Sequence, residues 1–148
     1  MITMVGLILV LIFLILSLFH FYWSFGGKKG REAAIPNSMD GSKLFNPGFL
    51  STMVVAVGLL SFALYVLIKI NLLTVHIPDW ILRYGLIAIA LIFILRAIGD
   101  FKYIGFFATI KPSDKFGKPS QFAIMDKKYY SPLCLLIGIL GLIIEVMQ

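Results

Sequence analysis

The stretch that decides the fold is Ile2–Trp23, ITMVGLILVLIFLILSLFHFYW, which is part of a run with no Asp, Glu, Lys or Arg before Lys28. A helix crossing a hydrocarbon core of about 30 Å needs about 20 mostly apolar residues at 1.5 Å each, and this stretch supplies them. Its apolar residues do not alternate with polar ones, so a barrel strand does not fit. It closes on His20, Phe21, Tyr22 and Trp23, the kind of aromatic cluster that settles at headgroup level. No basic residue precedes the run, it is longer than a signal-peptide core, and no A-x-A site follows. It is expected to be a retained transmembrane helix.

Three further runs follow. The second, 49–70, is preceded by Asn46-Pro47 and contains Gly58, Ser61 and Ala63. The Asn-Pro pair reads as a cap followed by a first-turn proline, and the small residues as a close-packing face. The third, about 80–98, carries Arg83 one turn in and Arg96 near its far end; both can extend toward water. Gly99 is expected to kink or end it. Residues 101–110 continue the apolar pattern up to Lys111-Pro112, as an interfacial helix or as an extension of the third span. The fourth, 131–147, repeats the cap-then-proline pattern with Ser131-Pro132. It is short for a span, which a locally thinned bilayer accommodates.

The expected architecture is therefore an all-α, four-transmembrane-helix bundle forming one membrane domain over residues 1–148. Composition agrees: of 148 residues, 60% are hydrophobic and 14% charged, with mean hydropathy +0.99, against about 45–50% and about 25% in soluble domains. The net charge of +6 does not indicate nucleic-acid binding, because the basic residues lie between apolar runs and form no basic domain. A single cysteine, Cys134, excludes an intramolecular disulfide and any CxxC redox pair; its expected role is apolar filling. Two histidines, expected on opposite sides of the membrane, and one thiol do not make a metal site. No cofactor is expected.

Charge distribution predicts orientation. The connections 24–48 and 99–130 fall on one side of a four-span chain. With Arg96 at the end of the third span they hold 11 of the 13 basic residues, leaving Lys69 and Arg83 opposite. The positive-inside rule then places both long connections in the cytoplasm and both termini outside.

The same threading gathers polar residues at the cytoplasmic end: His20, Arg96, Asp100, Asp126, Tyr129 and Tyr130. Arg96 and Asp100, four apart, share a helix face. An arginine paired with a carboxylate suits an anionic headgroup, and a histidine beside a carboxylate suits acid–base work. The same residues also serve as interfacial anchors and a depth-fixing ion pair. His76, beside Pro78, reads as a residue of the short outer loop. Gly26-Gly27-Lys28-Lys29 lacks the spacing and flanking strand of a phosphate loop.

Larger patterns remain after these readings. His20-Phe21-Tyr22-Trp23 with Gly26-Gly27, Ala34-Ile35-Pro36, Arg96-Ala97-Ile98-Gly99-Asp100-Phe101, Gly105-Phe106-Phe107, Phe122-Ala123, Asp126 and Tyr130-Ser131-Pro132-Leu133-Cys134 span nearly the whole chain. In these the sequence resembles a bacterial family of small four-helix membrane proteins of unknown function. The resemblance implies a multi-pass protein of the bacterial plasma membrane and leaves its activity open. Three functions stay open: binding of a lipid, small amphipath or partner membrane protein at a cytoplasm-facing polar vestibule; a small membrane enzyme on a lipid-like substrate; or a small oligomeric transporter. Membrane lipids, a membrane-protein partner or further copies of the chain are the expected partners.

Overall fold

The computed structural model describes residues 1–35, 47–103 and 121–147. Among them the chain is all-helical: α1 (Ile2–Ser24), α2 (Arg31–Ala34), α3 (Phe49–Lys69), α4 (Asp79–Tyr103), α5 (Gln121–Met125), a π-helical turn (Asp126–Tyr130) and α6 (Ser131–Val146). Four stretches are long and apolar enough to cross a membrane: α1, α3, α4 up to Ile98, and the continuous helical path Gln121–Val146.

Each expected boundary has a physical outcome. α1 ends in a Schellman motif: Gly26 takes φ +91°, its N–H bonds the Trp23 carbonyl, and the Gly27 N–H bonds the Tyr22 carbonyl. α3 ends the same way with Asn71 at φ 59°, so that the Asn71 and Leu72 N–H groups reach the Ile68 and Leu67 carbonyls. α3 begins later than the Asn46-Pro47 reading. Gly48 is its N-cap residue, Ser51 and Thr52 donate their hydroxyls back to the Gly48 carbonyl, and Asn46 lies outside the described residues. Gly99 neither ends nor breaks α4, which continues through it to Tyr103. In lipid no water competes for the backbone groups, so the helical ladder persists through a glycine that water would weaken. Residues 101–103 thus extend the third helix, and 104–110 lie outside the described part.

The fourth span is approached by more helix than expected. α6 itself runs Ser131–Val146, and α5 and the π turn lead into it, so that the helical path covers 26 residues from Gln121 to Val146. Ser131 is not a cap: its N–H bonds the Asp126 carbonyl across the π turn. Pro132 explains the turn. A proline has no N–H for the carbonyl four residues back, and its ring clashes with that carbonyl in an α-helix. Widening one turn relieves the conflict.

Packing follows two hairpins, α1 on α3 and α4 on α6, with α1 also lying along α6. At mid-depth the rings of Phe13, Phe62 and Phe93 meet, with centroids 5.6 to 6.4 Å apart. The expected small face of α3 is turned differently. Ala56 and Ala63 are buried, and Ser17 of α1 donates to the Ala56 carbonyl at 2.8 Å. By contrast, space is open around Gly58, and the exposed Ser61 bonds its own helix at Val57. Close approach between α4 and α6 comes from Gly138 and Gly141, both set against Ala90. Leu11, Val54, Ile92, Leu95 and Leu136 point outward, as a lipid-facing surface requires. Cys134 is buried.

Candidate functional site

Three polar constellations stand at the ends of this bundle. The first holds the residues read from the sequence. His20 is half-buried and its Nδ1 lies 2.8 Å from the Leu16 carbonyl; a carbonyl only accepts, so Nδ1 carries the proton there. The His20 ring also meets Trp23 edge-on at 5.1 Å. Asp126 is fully buried and accepts the Ser131 hydroxyl at 2.9 Å. This pair exists because the π turn puts positions five apart on one face. Tyr130 stacks at a tilt against Phe122 at 6.4 Å, and Tyr129 is exposed beneath the Lys128 ammonium, 5.1 Å from the ring centroid. Arg96 is exposed on α4, which packs against the π turn. The side chain of Asp100 lies outside the described residues. Asp126 and Tyr130 are thus brought together on one turn, and His20 engages its own helix.

The second constellation is at the same end and is built on Gly26-Gly27-Lys28-Lys29, which is no phosphate loop. The Schellman turn folds Gly27 onto Tyr22, where a Cβ at Gly27 would fall 2.3 Å from the ring. Trp23 then donates its indole N–H to the Lys29 carbonyl at 2.8 Å. Together they hold Lys29 over a hollow of about 510 Å³ along α1, lined by Ile15, Leu18, Phe19, Tyr22 and Lys29. The Gly26-Gly27 pair, four and five residues after Tyr22, was the available signal: a glycine pair at a helix end lets the chain turn back on the last helical turn.

The third is at the opposite end, where Gly6 meets Ile70. Lys69, the last residue of α3, is buried. Its ammonium donates to the Leu82 carbonyl at 2.6 Å and pairs with Glu145 of α6 at 3.0 Å. One turn earlier on α3, the Tyr65 hydroxyl lies 3.0 and 3.2 Å from the Ile81 and Leu82 carbonyls. Gly85 makes room for it, since a Cβ there would sit 2.8 Å from the phenol. Threading alone predicts that the ends of spans two and four share a membrane depth, so this pair was accessible by the logic used for the other side.

A family model described as a protein of unknown function, DUF3995, matches residues 13–141. The chain belongs to that family. No curated protein and no solved structure matches it. The match takes in most of the DUF3995 member's four apolar helices, from the middle of α1 to Gly141 of α6, so the chain is a multi-pass membrane protein of a family without an assigned activity. Of the three constellations, two lie beside a hollow: Lys29 in this DUF3995 chain lines an apolar one, and Lys69 borders one of mixed polar and apolar lining.

Proposed function

We propose that the protein binds an anionic membrane phospholipid at the α1 groove. The observation that carries this reading is the juxtaposition of an apolar trough, Ile15 to Tyr22, with one cation, Lys29, at its end. Bilayer tails are as apolar as the trough, so the trough orients a chain without strongly attracting it. Selection falls to the charge, worth about 1 kcal/mol for a lysine near an anionic surface. Lys28 and Arg31 add to the same field, and Arg31 is fixed by a 2.7 Å bond to the Pro47 carbonyl.

An enzymatic reading draws least support: the Ser131–Asp126 hydroxyl–carboxylate pair is fully buried, and His20 engages the Leu16 carbonyl of its own helix. A single-chain transport path is opposed by the Phe13–Phe62–Phe93 plug at mid-depth. The test is lipid-resolved mass spectrometry of the protein from nanodiscs of mixed phosphatidylglycerol and phosphatidylcholine. Wild type is expected to retain the anionic lipid about fivefold over the zwitterionic one, the equivalent of one lysine contact. Lys29→Glu is expected to abolish that preference, and Leu18→Trp to reduce total retention by filling the trough. Unchanged preference in Lys29→Glu sinks the reading.

The charge bias supports placing the Lys29 end in the cytoplasm. Alkaline phosphatase fused after residue 115 is then expected to be inactive in bacterial cells, while activity there would reverse the orientation.

A further inference from the structure

Lys69, which pairs with Glu145 at 3.0 Å, borders an open hollow of about 680 Å³, lined also by Asn71, Thr74 and His76 from the 70–78 connection and by Leu82. This lies at the opposite end of the bundle from the α1 groove. We propose that the hollow is a phosphate-type anion site in which Lys69 supplies the charge and Glu145 is a built-in competitor for it.

Three observations support this. A buried lysine at the end of a span is costly, and such groups are retained where they bind or pair. Lys69 is held independently of Glu145, by the Leu82 carbonyl at 2.6 Å, so losing the carboxylate does not release the ammonium. The contact with Glu145 is ionic rather than well directed: Oε2 lies 3.0 Å from Nζ, yet among the described residues it accepts no hydrogen bond of proper geometry. An arriving anion can therefore replace Glu145 while Lys69 stays in position. Asn71, Thr74 and His76 place further polar side chains along the same wall, and Asn71 is fixed there because the end of α3 needs its left-handed backbone. The site lies where α3 and α6 end, the depth of phospholipid phosphates, and it is open enough for a free phosphate as well.

Glu145→Gln separates this site from a purely structural ion pair. All measurements use the full chain in nanodiscs on a Lys29→Glu background, which removes any contribution from the α1 groove. One arm titrates inorganic phosphate by calorimetry into phosphatidylcholine discs. The other measures retained phosphatidylglycerol by native mass spectrometry. Removing the competing carboxylate is expected to tighten anion binding about tenfold, the scale of one charge-assisted contact, in the arm that matches the source. Tightening in the lipid arm assigns a headgroup, and tightening in the phosphate arm assigns a free anion. Lys69→Gln is expected to remove the binding in whichever arm shows it. Should that variant fail to fold, Thr74→Val on the connection is expected to weaken the same binding. Equal binding with and without Glu145, or no binding in either arm, overturns the proposal.

Discussion

Gly138→Leu is expected to separate α4 from α6 and to lower stability by about 3 kcal/mol or more, above the usual cost of overpacking because backbone stands in the way. A Cβ at position 138 would lie 2.4 Å from Ile94 Cγ1 and 3.1 Å from the Ala90 carbonyl oxygen. The Ile94 side chain can rotate away; the carbonyl belongs to the α4 ladder and cannot. The remaining leucine atoms would then force the helices apart along the seam that Gly141 shares, where the nearest atom to a Cβ is Ala90 Cβ at 3.2 Å. Helix association in lipid lacks the hydrophobic drive available in water and relies on close van der Waals contact, so a widened seam has little to compensate it. Gly58→Leu is the matched control. Its position has no atom within 4 Å, and the leucine would face open space. Thermal melts in detergent, or steric trapping in bicelles, should show a large loss at 138 and a change within about 0.5 kcal/mol at 58, the range of an ordinary surface substitution. Comparable losses at the two positions would refute the packing assignment.

The contrast between those glycines shows what the sequence could and could not reveal. Length and hydropathy made four helices legible, because a run such as Ile2–Trp23 has one stable form in lipid. Which side of each helix faces its neighbours was not legible. Inside and outside are equally apolar in a membrane protein, so Gly58 and Gly138 look alike until partners are known. The helical lead-in to the fourth span was hidden for a different reason. Asp126, Lys127 and Lys128 read as a polar connection, yet Asp126 turns inward to Ser131 while Lys127 and Lys128 face out. A π turn changes the phase of the helix, and a constant 3.6-residue period does not anticipate it. For the candidate polar residues, threading sets only an expectation of shared depth. Local engagement was not legible: the bond from His20 to Leu16 and the burial of Asp126 depend on rotamers and on the turn geometry.

Lys69→Met is expected to cost about 3 kcal/mol, at the lower end of the range for breaking a buried pair, because Glu145 keeps some exposure. The loss arises from what remains. The Glu145 carboxylate stays among α3, α4 and α6 without its cation, and the Leu82 carbonyl loses its 2.6 Å donor. Adding Glu145→Leu removes the stranded charge and supplies apolar volume, so the double variant is expected to return to within about 1 kcal/mol of wild type, as replaced buried pairs often do. Tyr65 contributes to that recovery by keeping its hydroxyl against the Ile81 and Leu82 carbonyls, which holds α3 to the first turn of α4 without either charge. The quantity to measure is the coupling energy of the cycle, obtained from unfolding in detergent for wild type, both single variants and the double. A coupling near zero would mean that Lys69 and Glu145 act separately and that the 3.0 Å contact carries no stability. With strong coupling, the double variant becomes informative beyond folding. It would keep the bundle intact while lacking the ammonium, so any anion binding it retained could not be assigned to the hollow beside Lys69. A double variant that folds but lacks the anion binding seen in Glu145→Gln would show that the Lys69 ammonium serves ligand recognition, since apolar residues would have met the structural need.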